Sequence, residues 1–166
     1  MSVQGKSQMG KAVRPRQSFE IHPVGFVRHS EGSTWIEILP PYIPGLMGLE
    51  HYSHVVVVWW ASQNDNPVTR KTLTTCPPYT PELEMGVFAT RSPRRPNPIG
   101  LTTCEILSVD VVRGILTIRN IDALDKTPVI DLKAYFPTTD RVKDYRLPSW
   151  LSDWPEWFPS EGLGLD

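Results

Sequence analysis

The sequence predicts a mainly β protein with short helical segments, and three observations carry that expectation. Seventeen prolines stand among 166 residues, and proline removes a backbone donor and breaks helices. Apolar residues recur in short runs of strand length, bounded by turn-forming clusters. The longest apolar run, Val55 to Ala61, is dominated by valine, which is stiff at χ1 and suits a sheet better than a helix.

The elements follow in chain order. Met1 to Ser18 carries Lys6, Lys11, Arg14 and Arg16 with no acid and no apolar core, so it reads as a solvated tail rather than a secretory signal. Residues 1–19 are accordingly expected to be a flexible basic tail, 20–147 the folded domain and 148–166 a C-terminal tail. Val24 to His29 and Thr34 to Leu39 read as hairpin strands joined by the turn Ser30-Glu31-Gly32-Ser33. Pro40 to Gly48 breaks regular structure, and a short turn follows at Leu49. Ser53 to Ala61 reads as a central strand covered on both faces. Ser62 to Pro81 is polar and interrupted by proline, which predicts a long loop of a length that is usually functional or mobile.

Glu84 to Thr90 reads as the next strand and leads into GVFATRSPRRPNPIGL, Gly86 to Leu101. Pro93, Pro96 and Pro98 fix φ and restrict the residues before them. The loop is therefore stiff, and it displays Arg91, Arg94 and Arg95 in a geometry set before any anion arrives, which lowers the ordering cost of binding. Composition equally allows a surface hairpin whose arginines are merely solvated. Thr102 to Val112 reads as a longer strand, Arg113-Gly114 as a tight turn and Ile115 to Arg119 as its partner. Asn120 to Pro128 is an acidic loop, and Val129 to Tyr135 a last short strand. Trp150, Leu151, Trp154, Trp157 and Phe158 recur at i, i+1, i+4, i+7 and i+8, the stripe of a short helix that packs on the domain or on a second subunit.

The totals exclude several functions. A formal net charge of −1 leaves no bulk attraction for a polyanion, so nucleic-acid binding needs local patches. Cys76 and Cys104 form no CxxC pair. His22, His29, His51 and His54 lack metal-ligand spacing and read as histidines satisfied locally, so no metal is expected. The apolar run is too short for a bilayer, and a cytoplasmic setting follows. No GxGxxG, P-loop or GxSxG pattern is present. What stands out is opposed charge: the arginine loop against an acidic segment with Asp122, Asp125 and Asp131. Carboxylates accept from ribose hydroxyls while arginine grips a carboxylate or phosphate, which suits a zwitterionic nucleoside-like ligand. An internal salt-bridge network is the other reading of the same residues.

Three ordered blocks carry a resemblance. GVFATRSPRRPNPIGL, Gly48-Leu49-Glu50-His51-Tyr52-Ser53-His54 and Asp125-Lys126-Thr127-Pro128-Val129-Ile130-Asp131-Leu132-Lys133 are similar to blocks of the TsaA-like family. Its best-known members are TrmO enzymes, which methylate threonylcarbamoyladenosine beside the tRNA anticodon with S-adenosyl-L-methionine. The resemblance implies a small antiparallel β-barrel, a homodimer, and a cofactor held without a Rossmann motif. It implies cofactor contacts at Ser62, Gln63, Arg91, Leu101, Arg119, Asn120, Ile121 and Asp122, and leaves Arg94 and Arg95 for the RNA substrate. An aromatic face such as Phe88 or Trp60 would steady the sulfonium. Methyl transfer of this kind asks mainly for alignment, and no catalytic residue is assigned.

The chain departs from the family pattern in three places. The hairpin Arg28 to Trp35 is short where longer members carry a proline-rich insertion, Ser62 stands where a histidine is common, and a C-terminal domain of those members has no counterpart. A non-catalytic module for S-adenosyl-L-methionine and RNA, and a small-molecule methyltransferase, are the competing readings.

Overall fold

Strand β1 (Gly25–Ser30) turns back into β2 (Ser33–Ile38) through Glu31 and Gly32. Gly32 takes φ of 72°, the left-handed region that glycine enters without a Cβ penalty. The pairing runs from Ser30 opposite Ser33 to Gly25 opposite Ile38, so the turn expected from Ser30-Glu31-Gly32-Ser33 sets the register of the whole hairpin. In the computed structural model, which describes residues 17–157, the remaining strands are β3 (His54–Trp60), β4 (Thr74–Thr75), β5 (Met85–Gly86), β6 (Ile99–Asp110), β7 (Ile115–Ile118) and β8 (Pro128–Ala134).

Six of these strands close an antiparallel barrel in the order β1-β2-β7-β6-β3-β8, and β4 with β5 forms a separate two-stranded ribbon. Closure leaves one face of each strand inside. Val27, Ile36, Val55, Val57, Cys104, Leu116 and Val129 fill that interior and are fully buried. The mainly β expectation and the small antiparallel barrel both hold.

Four local readings are corrected. Along β3 only Val55 and Val57 are buried, while Val56, Val58 and Trp60 are half-exposed. This strand is central because both its edges are paired, with β6 and β8, and the barrel covers a single face. The strand expected over Glu84 to Thr90 reduces to Met85–Gly86, because Val87–Ala89 coils into a 3-10 turn. The break at Pro40 to Gly48 is itself a 3-10 segment, Pro40–Leu46, with Leu46 buried against the barrel.

Among the described residues the tryptophan stripe makes one 3-10 turn, Ser149–Leu151, and no longer helix. Its rings find separate partners instead: Trp154 meets Tyr79 edge-on with centroids 5.0 Å apart, and the Arg141 guanidinium lies over Trp157. Phe158 and residues 1–16 of the basic tail lie outside the described residues.

Candidate functional site

Strand β6 is longer than its neighbour on one side, and that mismatch leaves part of one edge without a strand partner. It pairs with β3 from Ile99 to Glu105 but with β7 only from Ile106 to Asp110. The N–H of Ala61 donates to Pro98 O at 2.8 Å and that of Ile106 to Ser53 O at 2.8 Å. Even-numbered residues of this stretch therefore bond to β3, and odd-numbered ones turn their backbone groups the other way. From Ile99 to Thr103 that second edge has no strand partner. An open edge of N–H and C=O groups is a ready surface for a polar planar ligand.

Two arginines bracket it. Arg91 Nη2 donates to Leu101 O at 3.3 Å. At the other end the Arg119 N–H donates to Glu105 O at 3.1 Å, and its guanidinium takes the Glu105 carboxylate at 2.5 and 3.4 Å. Leu101 and Glu105 are separated by about 13 Å of strand. The Arg119 guanidinium holds the Glu105 carboxyl below its ordinary value. The side chain of Leu101 is 51% exposed beside this edge.

The arginine loop is stiff for a reason beyond its prolines. Arg95 Nε donates to Ser92 O at 2.7 Å, and Arg95 Nη2 donates to Val87 O at 2.9 Å and to Thr90 O. Three of the five donors of a guanidinium are thus committed to the loop that carries it, whereas the sequence reading leaves them for substrate. Arg94 is exposed, and its guanidinium has no hydrogen-bond or ion-pair partner among the described residues.

Sequence reasoning missed the brace on the other side. Trp60 Nε1 donates to Asp65 Oδ2 at 2.9 Å, Arg70 Nε donates to Asp65 Oδ1, and the Arg70 guanidinium lies over the Trp60 ring at 5.4 Å. Arg70 Nη1 also reaches Pro96 O at 3.3 Å, so one arginine ties the loop after β3 to the arginine loop. Its partner Asp65 is held below the ordinary carboxylate range, first by the Arg70 hydrogen bond. Only the aromatic, acidic and basic residues in one short polar stretch hinted at this cluster. One face of Trp60 is thereby taken by a cation, which disfavours it as a sulfonium platform.

The acidic loop is pinned to the first hairpin. The His29 N–H donates to Asp125 Oδ1 at 3.1 Å, and His29 Nε2 lies 2.7 Å from Ala123 O. Asp131 belongs to β8 and pairs with Lys133 Nζ at 2.7 Å. Asp125 and Asp131 therefore serve internal contacts, a backbone N–H and a neighbouring lysine, and no ion pair joins them to the arginine loop among the described residues. Ile121 packs against the core, so it offers a ligand its backbone. Ile121 to Leu124 line a shallow hollow of about 160 Å³.

The ten expected site residues fall into three groups. Arg91, Leu101 and Arg119 share the open β6 edge, with Asn120 to Asp122 running on from Arg119. Ser62 and Gln63 sit on a 3-10 turn at the end of β3, beside the start of β6. Arg94 and Arg95 lie on the connecting loop. A larger cavity of about 790 Å³ lies elsewhere, where Tyr42, Met47 and Tyr52 face Asp131, Leu132 and Ala134 of β8. Among the described residues no cluster of three or more His, Cys, Asp or Glu could hold a metal ion, and no helix is long and apolar enough to cross a membrane.

A family model described as the tRNA-methyltransferase O N-terminal domain matches residues 12–141. An S-adenosyl-L-methionine-binding protein of Archaeoglobus fulgidus is 44% identical over 115 residues, which are 69% of this chain and 78% of that protein. A mouse tRNA (adenine(37)-N6)-methyltransferase is 37% identical over 107 residues, 64% of this chain and 22% of the mouse protein. A crystal structure of TrmO from P. aeruginosa superposes with a TM-score of 0.63 at 29% identity, covering 81% of this chain and 62% of that one. A second A. fulgidus relative, 39% identical over 126 residues, is spanned for 32% of its length.

Proposed function

The chain belongs to the family of tRNA-methyltransferase O N-terminal domains, and from that premise we propose that it is an S-adenosyl-L-methionine-dependent tRNA methyltransferase. The observation that carries the reading is the open β6 edge between Arg91 and Arg119. S-adenosyl-L-methionine, when bound, supplies a methyl group activated by a positively charged sulfur.

The residues present fit such a group. The Leu101 N–H, on the edge without a strand partner, offers a donor to a planar base, and Leu101 O keeps a second lone pair beside its bond from Arg91. Donors of Arg91 not used on Leu101 O suit a carboxylate. Asp122 would accept from a ribose hydroxyl, and Ser62 and Gln63 offer neutral polar groups at the end of β3. These residues bind and orient. Holding donor and acceptor in line accounts for much of the acceleration such a reaction needs, so no side chain has to move a proton for the step itself.

The finer parts of the proposal are the acceptor, N6 of threonylcarbamoyladenosine next to the anticodon, a homodimeric assembly and a cytoplasmic setting. The apolar groove beside Met47, itself 85% exposed, supports a subunit contact, and light scattering tests it.

The site assignment is tested by calorimetry. Wild-type protein binds S-adenosyl-L-methionine, and Arg91→Ala combined with Asp122→Ala weakens that binding at least tenfold; unaltered affinity in the double variant removes the assignment. Transfer of labelled methyl to tRNA from cells lacking the modification tests the activity. Cofactor binding without transfer would make the protein a non-catalytic binding module, and transfer only to small metabolites would make it a different methyltransferase.

A further inference from the structure

Phe88 is 83% exposed, yet it does not hang on a loose segment. It sits at the middle of the 3-10 turn Val87–Ala89, whose first residue is buried at 1% and whose C-cap, Thr90, is buried too. The Thr90 hydroxyl donates to Val87 O at 3.0 Å, and Arg95 clips the carbonyls of both Val87 and Thr90. The turn is thus fastened on either side of a ring that points away from the core. No described aromatic ring or cation lies against it. Trp60 differs, with its N–H bound to Asp65 and a face covered by Arg70. An apolar ring held rigidly in water gains nothing for the fold, and it lowers the ordering cost for a flat ligand.

Charge indicates which flat ligand. The guanidinium that binds Val87 and Thr90 also binds Ser92 O, so Phe88 and Arg94 are carried by one braced loop, with Arg94 presenting an unpaired cation. A flat apolar face and a cation on one braced loop match an unstacked nucleobase and a neighbouring phosphate, the two features by which proteins take single-stranded RNA. Net charge gives the protein no general attraction for RNA, so such a local element is required.

We propose that Phe88 is a stacking platform for an unpaired base of the RNA substrate, with Arg94 as the adjoining phosphate contact. The inference rests on the tRNA reading above and deepens it: the enzyme recognises an unstacked loop base through this turn, apart from the residues assigned to the cofactor.

The test uses the full chain, an anticodon stem-loop RNA and S-adenosyl-L-methionine. Phe88→Ala weakens stem-loop binding about tenfold and leaves cofactor affinity by calorimetry within twofold. Phe88→Leu, still apolar, does not restore RNA binding. Phe88→Trp does, and RNA quenches the fluorescence of this variant more than that of wild type. Unchanged RNA affinity in Phe88→Ala, alongside wild-type methyl transfer, overturns the platform and leaves the proposed function standing. Loss of cofactor affinity in Phe88→Ala assigns the ring to the sulfonium, and a change in particle mass by light scattering assigns it to a subunit contact; either overturns the inference. Wild-type protein that binds S-adenosyl-L-methionine but neither binds nor methylates the RNA removes the tRNA reading and the platform with it.

Discussion

Gly100 lies beneath the indole of Trp59, its partner across the β3–β6 ladder, so closely that an added Cβ would come within 2.1 Å of Cε2. Trp59 Nε1 donates to Thr102 Oγ1 at 3.1 Å, which fixes the ring in that place. Gly100→Ala must therefore displace the indole. The expected cost is about 2 kcal/mol, the usual size of an overpacking effect, read as a lower urea midpoint. Because Gly100 precedes Leu101 on the open edge, cofactor affinity falls in the same variant. A midpoint equal to wild type would show that the barrel rim accommodates the extra methyl.

Arg94 and Arg95 are neighbours with separable roles. Arg94→Glu changes an unpaired surface charge, so it weakens RNA binding and leaves cofactor affinity intact. Arg95→Ala removes three bonds to carbonyls of its own loop, each charge-assisted. It loosens Phe88, Arg91 and Arg94 together, and both affinities fall, with faster amide exchange across residues 88–95. Cofactor affinity retained in Arg95→Ala would return that residue to the substrate-only role that sequence reading gives it.

The same pair shows where the sequence was legible. Hairpin turns and short β-branched or alternating apolar runs are local features, so β1 with β2, β3, and β6 with β7 all follow as strands from windows of ten residues or so. The single covered face of β3 depends instead on barrel closure. The 3-10 turn at Val87 is not local. It is closed partly by Arg95, eight residues along, and a window reading of Glu84 to Thr90 sees only strand-like residues. The Trp60, Asp65, Arg70 and Pro96 brace depends likewise on two loops meeting. The tryptophan stripe failed because helical spacing does not make a helix where Pro155 interrupts it and Tyr79 and Arg141 offer the Trp154 and Trp157 rings other contacts. The resemblance named Leu101 as a cofactor contact, but that it lies on a strand edge without a strand partner appears only in the strand pairing.

Asp65 should make the brace sensitive to acid. Its folded pKa is depressed, so the stability it contributes is present above the unfolded value near 3.8 and is lost as pH falls through the lower folded value. The side chain is a third exposed, which limits the pair to at most about 1 kcal/mol. Wild type is then slightly more stable than Asp65→Asn at pH 6, and the gap closes toward pH 3. Urea midpoints for both proteins across that range check it, and a gap that widens on acidification would have the sign wrong.

Thiol chemistry gives a reading of ligand binding that does not depend on catalysis. Cys104 is fully buried in β6, and burial pushes its thiol up to about 12, whereas Cys76 is exposed. The thiolate is the reactive form, so at pH 8 a disulfide reagent modifies Cys76 at once and reaches Cys104 only through opening of the barrel. One thiol per chain reacts in native buffer and the second in urea. A ligand bound to the folded state alone stabilises it according to its excess over Kd. S-adenosyl-L-methionine at 100 times its Kd therefore slows Cys104 labelling about 100-fold and leaves Cys76 unaffected. If the cofactor slows neither thiol, it does not bind the folded barrel; if it slows Cys76 instead, it shields the ribbon of β4 and β5 directly.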